Sequence, residues 1–425
     1  MNGRQKITPV ELLKNTCVDT FDLVKRVIPD SEMPILKVFL KSHIAYLEEN
    51  LQKTDEGLPI IGTHFAFPNE VFRAFDVATI IFEATPYFLS ALLPNGSEPW
   101  YDSANYYGHP YHTCTAQKGV LGMVLEDHLK LDVIVTPTGP CDNNVSTYQY
   151  YSNQRKIPLV IADFPTSRYD ERGFTYYAEE LKQVVEEVGK AIGQEPDWDR
   201  LKQAVKINTE SLEYLNKLNE LRRIKPCPVE SLANPLITGA QAFLAGHPEK
   251  VRFCKDVLDI VQKRVKYNIT TPGEEKFRAV WPYMSIFFNI GFSEWMDREL
   301  GMTQLVDIFN QPFLEPSYSE DIDEIFLDLA KQNMNFPMVR QSEYFMDYMV
   351  NDFIYAAKYY DADCAVFTAH IGCKQSVSGI QILRETFQDE LGIPMLTLEL
   401  DVGDKRFTSI ETVKHELTEF TKTLL

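Results

Sequence analysis

No apolar run in this 425-residue chain approaches the roughly 20 residues that a membrane-crossing helix needs. The opening stretch, MNGRQKITPVELLKN, has no apolar core followed by a small-residue cleavage site, which predicts a cytoplasmic protein. Basic residues are scarce: 42 Lys and Arg stand against 61 Asp and Glu, for a net charge of −19. A chain this acidic is a poor general binder of DNA, RNA or anionic lipid, so neither nucleic acid nor membrane is expected as a partner. An anionic ligand then needs a local basic pocket. Internal repeats and low-complexity tracts are missing too. The apolar fraction of 44% and charged fraction of 24% are those of a globular protein, not a disordered or coiled-coil one. The 7 cysteines include no CxxC pair, and in a reducing compartment an odd number is not a disulfide framework.

At this length a single ordinary core is not expected. The N-terminal stretch reads as helical, with Leu36, Phe39, Leu40, Ile44, Leu47 and Leu51 at three- and four-residue spacing. Short apolar runs then alternate with helical ones. The segments around Ile60-Ile61, VATIIFEA, LDVIVTPT and IPLVIADFP read as buried strands. A helix is expected from Asn69, and others over GVLGMVLEDHLK and STYQYYSNQR. No GxGxxG loop follows any of these strands. A charged helical segment follows, broken at KPCPVESLANP, with a further helix at about 249–267. The second α/β stretch opens at KFRAVWPYMS. Its clear elements are the strands DADCAVFTA and IPMLTLELD, the helix between them, and a final helix over ETVKHELTEFTKTLL. The run FMDYMVNDFIYAAKYY reads as a buried helix. Such alternation predicts an α/β protein: two Rossmann-like parallel-sheet domains joined by a helical segment. The boundaries fall at 1–173, 174–270 and 271–425.

Three cysteines share a context. Cys114 lies where a polar loop becomes a helix, Cys141 just past a strand, and Cys373 between a strand and a helix. In an open parallel sheet this edge gathers ligands. Helix N-termini there lower thiol pKa values, so all three sulfurs are expected at strand-to-helix junctions as the chain's most acidic thiols. Three thiolates converging on one point suit a soft metal or an iron–sulfur cluster; zinc is less natural for ligands so far apart in sequence. A lone cysteine is more often a small buried hydrophobe. Cys17, Cys227 and Cys254 are read that way. Cys364 reads as strand core too, and is the rival to Cys373 as third ligand.

Several motifs carry a resemblance. IIGTHFAFPNEVFRAFDVATIIFE, HTCTAQKGVLGM, TPTGPCDN and AHIGCKQSVSGIQILRETFQDELGIPMLTLELDVGDKRFTS resemble the family of 2-hydroxyacyl-CoA dehydratase and benzoyl-CoA reductase subunits, over about residues 58–410. The last block is the most specific. The stretch TSIETVKHELTEF lacks the threonine-arginine pair of many dehydratase subunits, and FDVATIIFE, with Asp76 and Glu83, looks slightly closer to the reductase branch. The resemblance implies a [4Fe-4S] cluster held by Cys114, Cys141 and Cys373. It also implies a homologous partner subunit and an ATP-dependent iron–sulfur activator protein. The activator's low-potential electron would enter an acyl-CoA substrate and make a ketyl radical anion. Oxygen sensitivity follows. Relatives with a double-cubane [8Fe-9S] cluster form homodimers and reduce small molecules; that alternative would recruit Cys227, Cys254 or Cys364. A non-catalytic partner subunit of the same fold is the third reading.

Glu83, at a strand end, is a candidate catalytic acid if it points into the site, with a loop carboxylate as the alternative. His112 and His109, close before Cys114, and His370, before Cys373, could donate to cluster or substrate, or be structural. Lys118, Arg168, Arg172, Lys374 and Arg406 are the basic residues near the motif loops for CoA phosphates. Tyr106, Tyr107, Tyr111, Tyr148, Tyr150 and Tyr151 could line an acyl pocket or simply pack.

Overall fold

The computed structural model describes residues 7–29, 32–166, 168–269, 273–310, 315–343 and 345–425, with side chains of 341–346 left out. Two helices open the chain: α1 (Pro9–Val27) and α2 (Pro34–Asp55). The first α/β half follows: β1 (Ile60–Thr63), β2 (Ala78–Ile81), α3 (Ala84–Leu92), α4 (Glu98–Tyr106), α5 (Thr115–Leu125), β3 (Val133–Pro137), α6 (Asp142–Arg155) and β4 (Leu159–Ala162). Four helices come next: α7 (Glu171–Ile192), α8 (Trp198–Leu221), α9 (Ala233–Phe243) and α10 (Pro248–Lys266). The second half comprises β5 (Phe277–Val280), α11 (Phe292–Trp295) running into a π-helical turn (Met296–Leu300), β6 (Met302–Val306), α12 (Ile322–Asn335), α13 (Pro337–Glu343), α14 (Phe345–Tyr360), β7 (Cys364–His370), α15 (Lys374–Val377), α16 (Ile380–Leu391), β8 (Met395–Leu400) and α17 (Ile410–Lys422).

Both sheets are parallel and four-stranded, and their orders correspond: β2-β1-β3-β4 and β6-β5-β7-β8. Strands β3 and β7 are buried along their whole length, which explains their unbroken apolar and β-branched sequences. In each sheet the connections reverse direction between the first and third strands. That reversal opens a crevice at the C-terminal edge, where ligands bind in open α/β folds.

The intervening helices cover the sheets. Helix α7 lies on β3 and β4, and α12, from the second half, packs on α7. Ile61, Val133 and Val135 therefore share a core with Leu181, Val185, Ile325 and Leu329. A larger core joins Ile81 and Phe82 of the first half to Val280, Val366 and Leu398 of the second. Aspartates cap the helices where the sequence offers them: Asp170 accepts from the Gly173 amide, and Asp197 and Asp321 cap α8 and α12.

Two expectations change. The helix expected from Asn69 is a single 3-10 stretch, Asn69–Ala74, and Asn69 does not cap it. Its side chain instead accepts from the Thr63 hydroxyl at 2.8 Å and donates to the His64 carbonyl at 2.9 Å, which fixes the end of β1. Helix α14 is amphipathic, not buried throughout: Met349, Phe353 and Ala357 are buried, whereas Tyr355 is 49% exposed. Among the described residues no helix is long and apolar enough to cross a membrane.

Candidate functional site

Both crevices open into one cavity of about 470 Å³. The first sheet supplies His64 and Phe65 after β1, and Pro140 and Cys141 after β3. The second supplies Tyr283 and Met284 after β5, and Gly372 and Cys373 after β7. Cys114, at the start of α5, completes the set. All three cysteines singled out in the sequence line this cavity. Cys17, Cys227, Cys254 and Cys364 are buried and are not among its lining residues. Cys364 begins β7 whereas Cys373 follows its end, so the strand's length separates the two rivals.

Cys141 and Cys373 each immediately precede a helix after a strand; Cys114 precedes α5 but follows α4, not a strand. The expected acidity is also overturned. Burial pushes the Cys114 thiol up to about 12, with the charges of Cys373 and Asp401 acting the same way. Cys141 is raised too, by burial first and then by Cys373. Desolvation of a thiolate outweighs the helix N-terminus in both cases. Bound to a cationic centre, such thiols would deprotonate because the metal replaces the lost water.

Close approach of the halves is built into one residue. A Cβ on Gly372 would fall 2.5 Å from the Cys114 Cα and 2.9 Å from His370 Nε2, so only glycine admits this contact. His370 is fully buried, and its Nε2 has no partner. Its Nδ1 faces Asp401 at 3.8 Å and the Val402 amide at 3.4 Å. Asp401 in turn accepts from the Thr115 hydroxyl at 2.7 Å, tying the first turn of α5 to the loop after β8.

Glu83 precedes α3 and is 4% exposed. It points into the cavity, not into solvent. Its Oε1 accepts from Gln117 Nε2 at 2.9 Å and from the Tyr148 hydroxyl in a short contact, and its Oε2 accepts from the Phe65 amide at 3.2 Å. His64 Nε2 stands 3.7 Å from Oε1. The Ala66 amide donates to His64 Nδ1 at 3.0 Å, which leaves Nε2 carrying the proton toward Glu83. Burial lowers the His64 pKa, only partly offset by Glu83. Three donors thus converge on this one carboxylate inside the cavity, which is not the loop position that the sequence left open as the alternative.

The remaining candidates separate. His112 is exposed and lines the cavity, whereas His109 packs edge-on against Tyr150 and does not. Lys374 lines the cavity. Lys118 is buried and donates to the Tyr111 carbonyl at 2.8 Å. Arg406 is bound to Asp102 and Asp404, and Arg168 pairs with Asp170. Arg172 is exposed and, like these three, is not among the lining residues. Asp76 pairs with Arg200 at 2.8 Å. None of the six clustered tyrosines lines the cavity: Tyr106, Tyr107 and Tyr111 are exposed, Tyr148 and Tyr151 are buried behind Glu83 and Gln117, and Tyr150 packs on His109. The lining tyrosines are Tyr87, 3.7 Å from the Cys114 sulfur, and Tyr283. Sequence reasoning missed both, and His64. The signal for His64 was present: it directly follows β1, at the same sheet edge as the cysteines.

Among the described residues no three His, Cys, Asp or Glu side chains stand close enough to share one metal ion. Thiolates on a multi-iron cluster stand farther apart, because a frame of iron and sulfide lies between them. Two parallel sheets whose switch points open into one shared cavity define an α/β protein with its candidate site between the two halves. Residues 64–424 match the family described as 2-hydroxyglutaryl-CoA dehydratase, D-component, and the chain belongs to that family. No curated protein matches it.

Proposed function

We propose that this chain, a dehydratase component by family, is the iron–sulfur subunit of an ATP-activated radical enzyme acting on CoA thioesters. Cys114, Cys141 and Cys373 would hold a [4Fe-4S] cluster. The observation that carries the reading is that three cysteines from distant motifs, and none of the other four, line one cavity. The unpartnered Nε2 of His370, buried behind Gly372 and Cys114, suits a donor to a sulfide or thiolate and supports the fit. The cluster would supply single-electron transfer to the thioester, with the electron delivered by an ATP-dependent activator protein.

The chain's own residues then bind, shield and move protons. Tyr87, Tyr283 and Phe287 form an apolar wall beside the cysteines that keeps water from a reactive species. Glu83, aimed by Gln117, Tyr148 and the Phe65 amide, would exchange a proton with the acyl group, taking one in a dehydration and giving one in a ring reduction. Lys374 and His112, at the exposed part of the lining, meet the polar CoA portion. A homologous subunit would complete the enzyme, as heterodimer or homodimer, in the cytoplasm. Whether the net reaction is dehydration or ring reduction depends on the acyl group. An [8Fe-9S] cluster would need thiolates beyond the three lining ones, which supports the four-iron reading.

The test is anaerobic purification with iron, sulfide and EPR analysis. About four irons per chain are expected, against about eight for a double cubane. Serine at Cys114, Cys141 or Cys373 should each abolish the cluster signal, and serine at Cys17 should leave it unchanged. An intact signal in all three variants refutes the assignment.

A further inference from the structure

The wall of the cavity is chemically divided. Its polar groups gather around the cysteines, on Glu83, His64, Gln117 and Asn143. Two of these still have hydrogen-bonding capacity: Gln117 Oε1 and Asn143 Nδ2 are buried without a partner. A second, apolar part of the wall comes from α3, α9 and the segments after β5 and β6, as Phe88, Gly239, Ala242, Met284, Phe287 and Phe309. These are buried. Thr238 is the polar residue in this stretch, and its hydroxyl is occupied. It donates to the Asn234 carbonyl at 3.0 Å and accepts from the Asn310 amide at 3.2 Å.

Charge follows the same division. Among the described lining residues Lys374 is the one Lys or Arg, and it is exposed. Lys250 lies in a neighbouring cavity, which shares Phe65, Thr238, Ala242 and Phe309 with this one. Its amine donates to Asn208 at 2.8 Å and feels the charge of Glu70. The buried carboxylate of Glu83 repels any second one nearby.

The geometry points to an acyl-CoA whose acyl group is apolar to its far end, aromatic or branched aliphatic, as the ligand class of this cavity. This rests on the reading of the cavity as an acyl-CoA site. The thioester would meet the polar groups near the cysteines, and the acyl body the phenylalanines. A dicarboxylic acyl group such as glutaryl would bring a distal carboxylate against Phe88, Phe287 and Phe309, where the described lining of this cavity offers no cation beside it and Lys250 is bound to Asn208 across the neighbouring cavity. An unpaired charge buried in that way is disfavoured far more than a lost methylene. Tyr87 stacks on Phe287 at 5.4 Å, so the wall presents ring faces and edges suited to a flat or branched hydrocarbon.

The test is calorimetric binding of non-reactive thioesters to the anaerobically purified complex. The probes are 3-phenylpropanoyl-CoA, 4-methylpentanoyl-CoA, glutaryl-CoA and free CoA. The first two should bind at least about tenfold more tightly than glutaryl-CoA. Ala242→Phe, which fills the apolar wall, should erase most of that preference and leave free CoA binding unchanged. Should that variant fold poorly, the unsubstituted protein's ranking decides alone. Glutaryl-CoA binding as tightly as the apolar esters overturns the inference. Iron and sulfide measured on the same preparation separate the two readings. A preparation without iron that keeps the apolar preference sinks the cluster alone. A full cluster with glutaryl-CoA preferred sinks the ligand class alone. No binding of any thioester overturns the ligand class together with the acyl-CoA reading it rests on.

Discussion

The two halves are built on one strand order and bring unequal chemistry to the cavity between them. The first half contributes Cys114, Cys141, Glu83 and His64. The second contributes Cys373 with an apolar wall of Met284, Phe287 and Phe309. Buried carboxylates show the same contrast. Glu83 faces the cavity, whereas Asp297 and Asp307 of the second half are consumed inside it, by Ser231 and by Ser285 and Asn310. A repeated topology therefore fixes where a site opens but not what each repeat does there. The segments after the strands and the helices packed over the crevice decide that, because their side chains line it.

That comparison can be broken at several points. The largest effect is expected from the first half's carboxylate: Glu83→Gln should lower turnover at least about a hundredfold with the EPR signal retained. Equal turnover in the variant would remove Glu83 from the chemistry. Next comes the seam. Gly372→Ala should lower iron content severalfold, because the new Cβ meets the Cys114 backbone, which cannot step aside. Gly392→Ala is the matched control: its Cβ meets nothing within 4 Å, and its left-handed φ of 68° costs about 1 kcal/mol.

A smaller loss is expected at His64. His64→Phe puts a somewhat larger ring there and removes both the donor toward Glu83 and the acceptor of the Ala66 amide, so turnover should fall about tenfold with iron content unchanged. Since burial lowers its pKa, His64 stays neutral at neutral pH, and the wild-type pH profile between 7 and 8 should not change shape in the variant. The smallest effect on the cavity's chemistry is expected from a group away from it. Burial pushes the Asp297 carboxyl up from its ordinary 3.8 to about 8. Between those values the folded chain keeps a proton that the unfolded chain has released, so stability falls as pH rises through that window. The slope is at most about 1.4 kcal/mol per pH unit. Asp297→Asn should flatten the decline in denaturation midpoint between pH 5 and 8, leaving iron content alone.

Much of this was legible because it is local. Strands β3 and β7 announce themselves as continuous apolar runs, and helices α7, α8 and α17 by period and capping residues. Asn69 misled for a reason visible only in space: its side chain spans back to Thr63 and His64, so it cannot also cap a helix. The acidity of Cys114 misled likewise, since a helix start is readable in sequence but the burial that outweighs it is not. Tyr87 and Tyr283 gave no signal at all, as any of the 21 tyrosines has equal claim until the chain is folded.

What the sequence determined by itself was the alternation of strands and helices, and three cysteines beside the ends of such elements. These follow from periodicity and propensity within a dozen residues. Only the tertiary structure decided that the three sulfurs line one cavity, that Glu83 turns inward among donors, and that the opposite wall is hydrocarbon. Each of those depends on groups scores to hundreds of residues apart, brought together where the segment after β7 meets the start of α5 over a glycine.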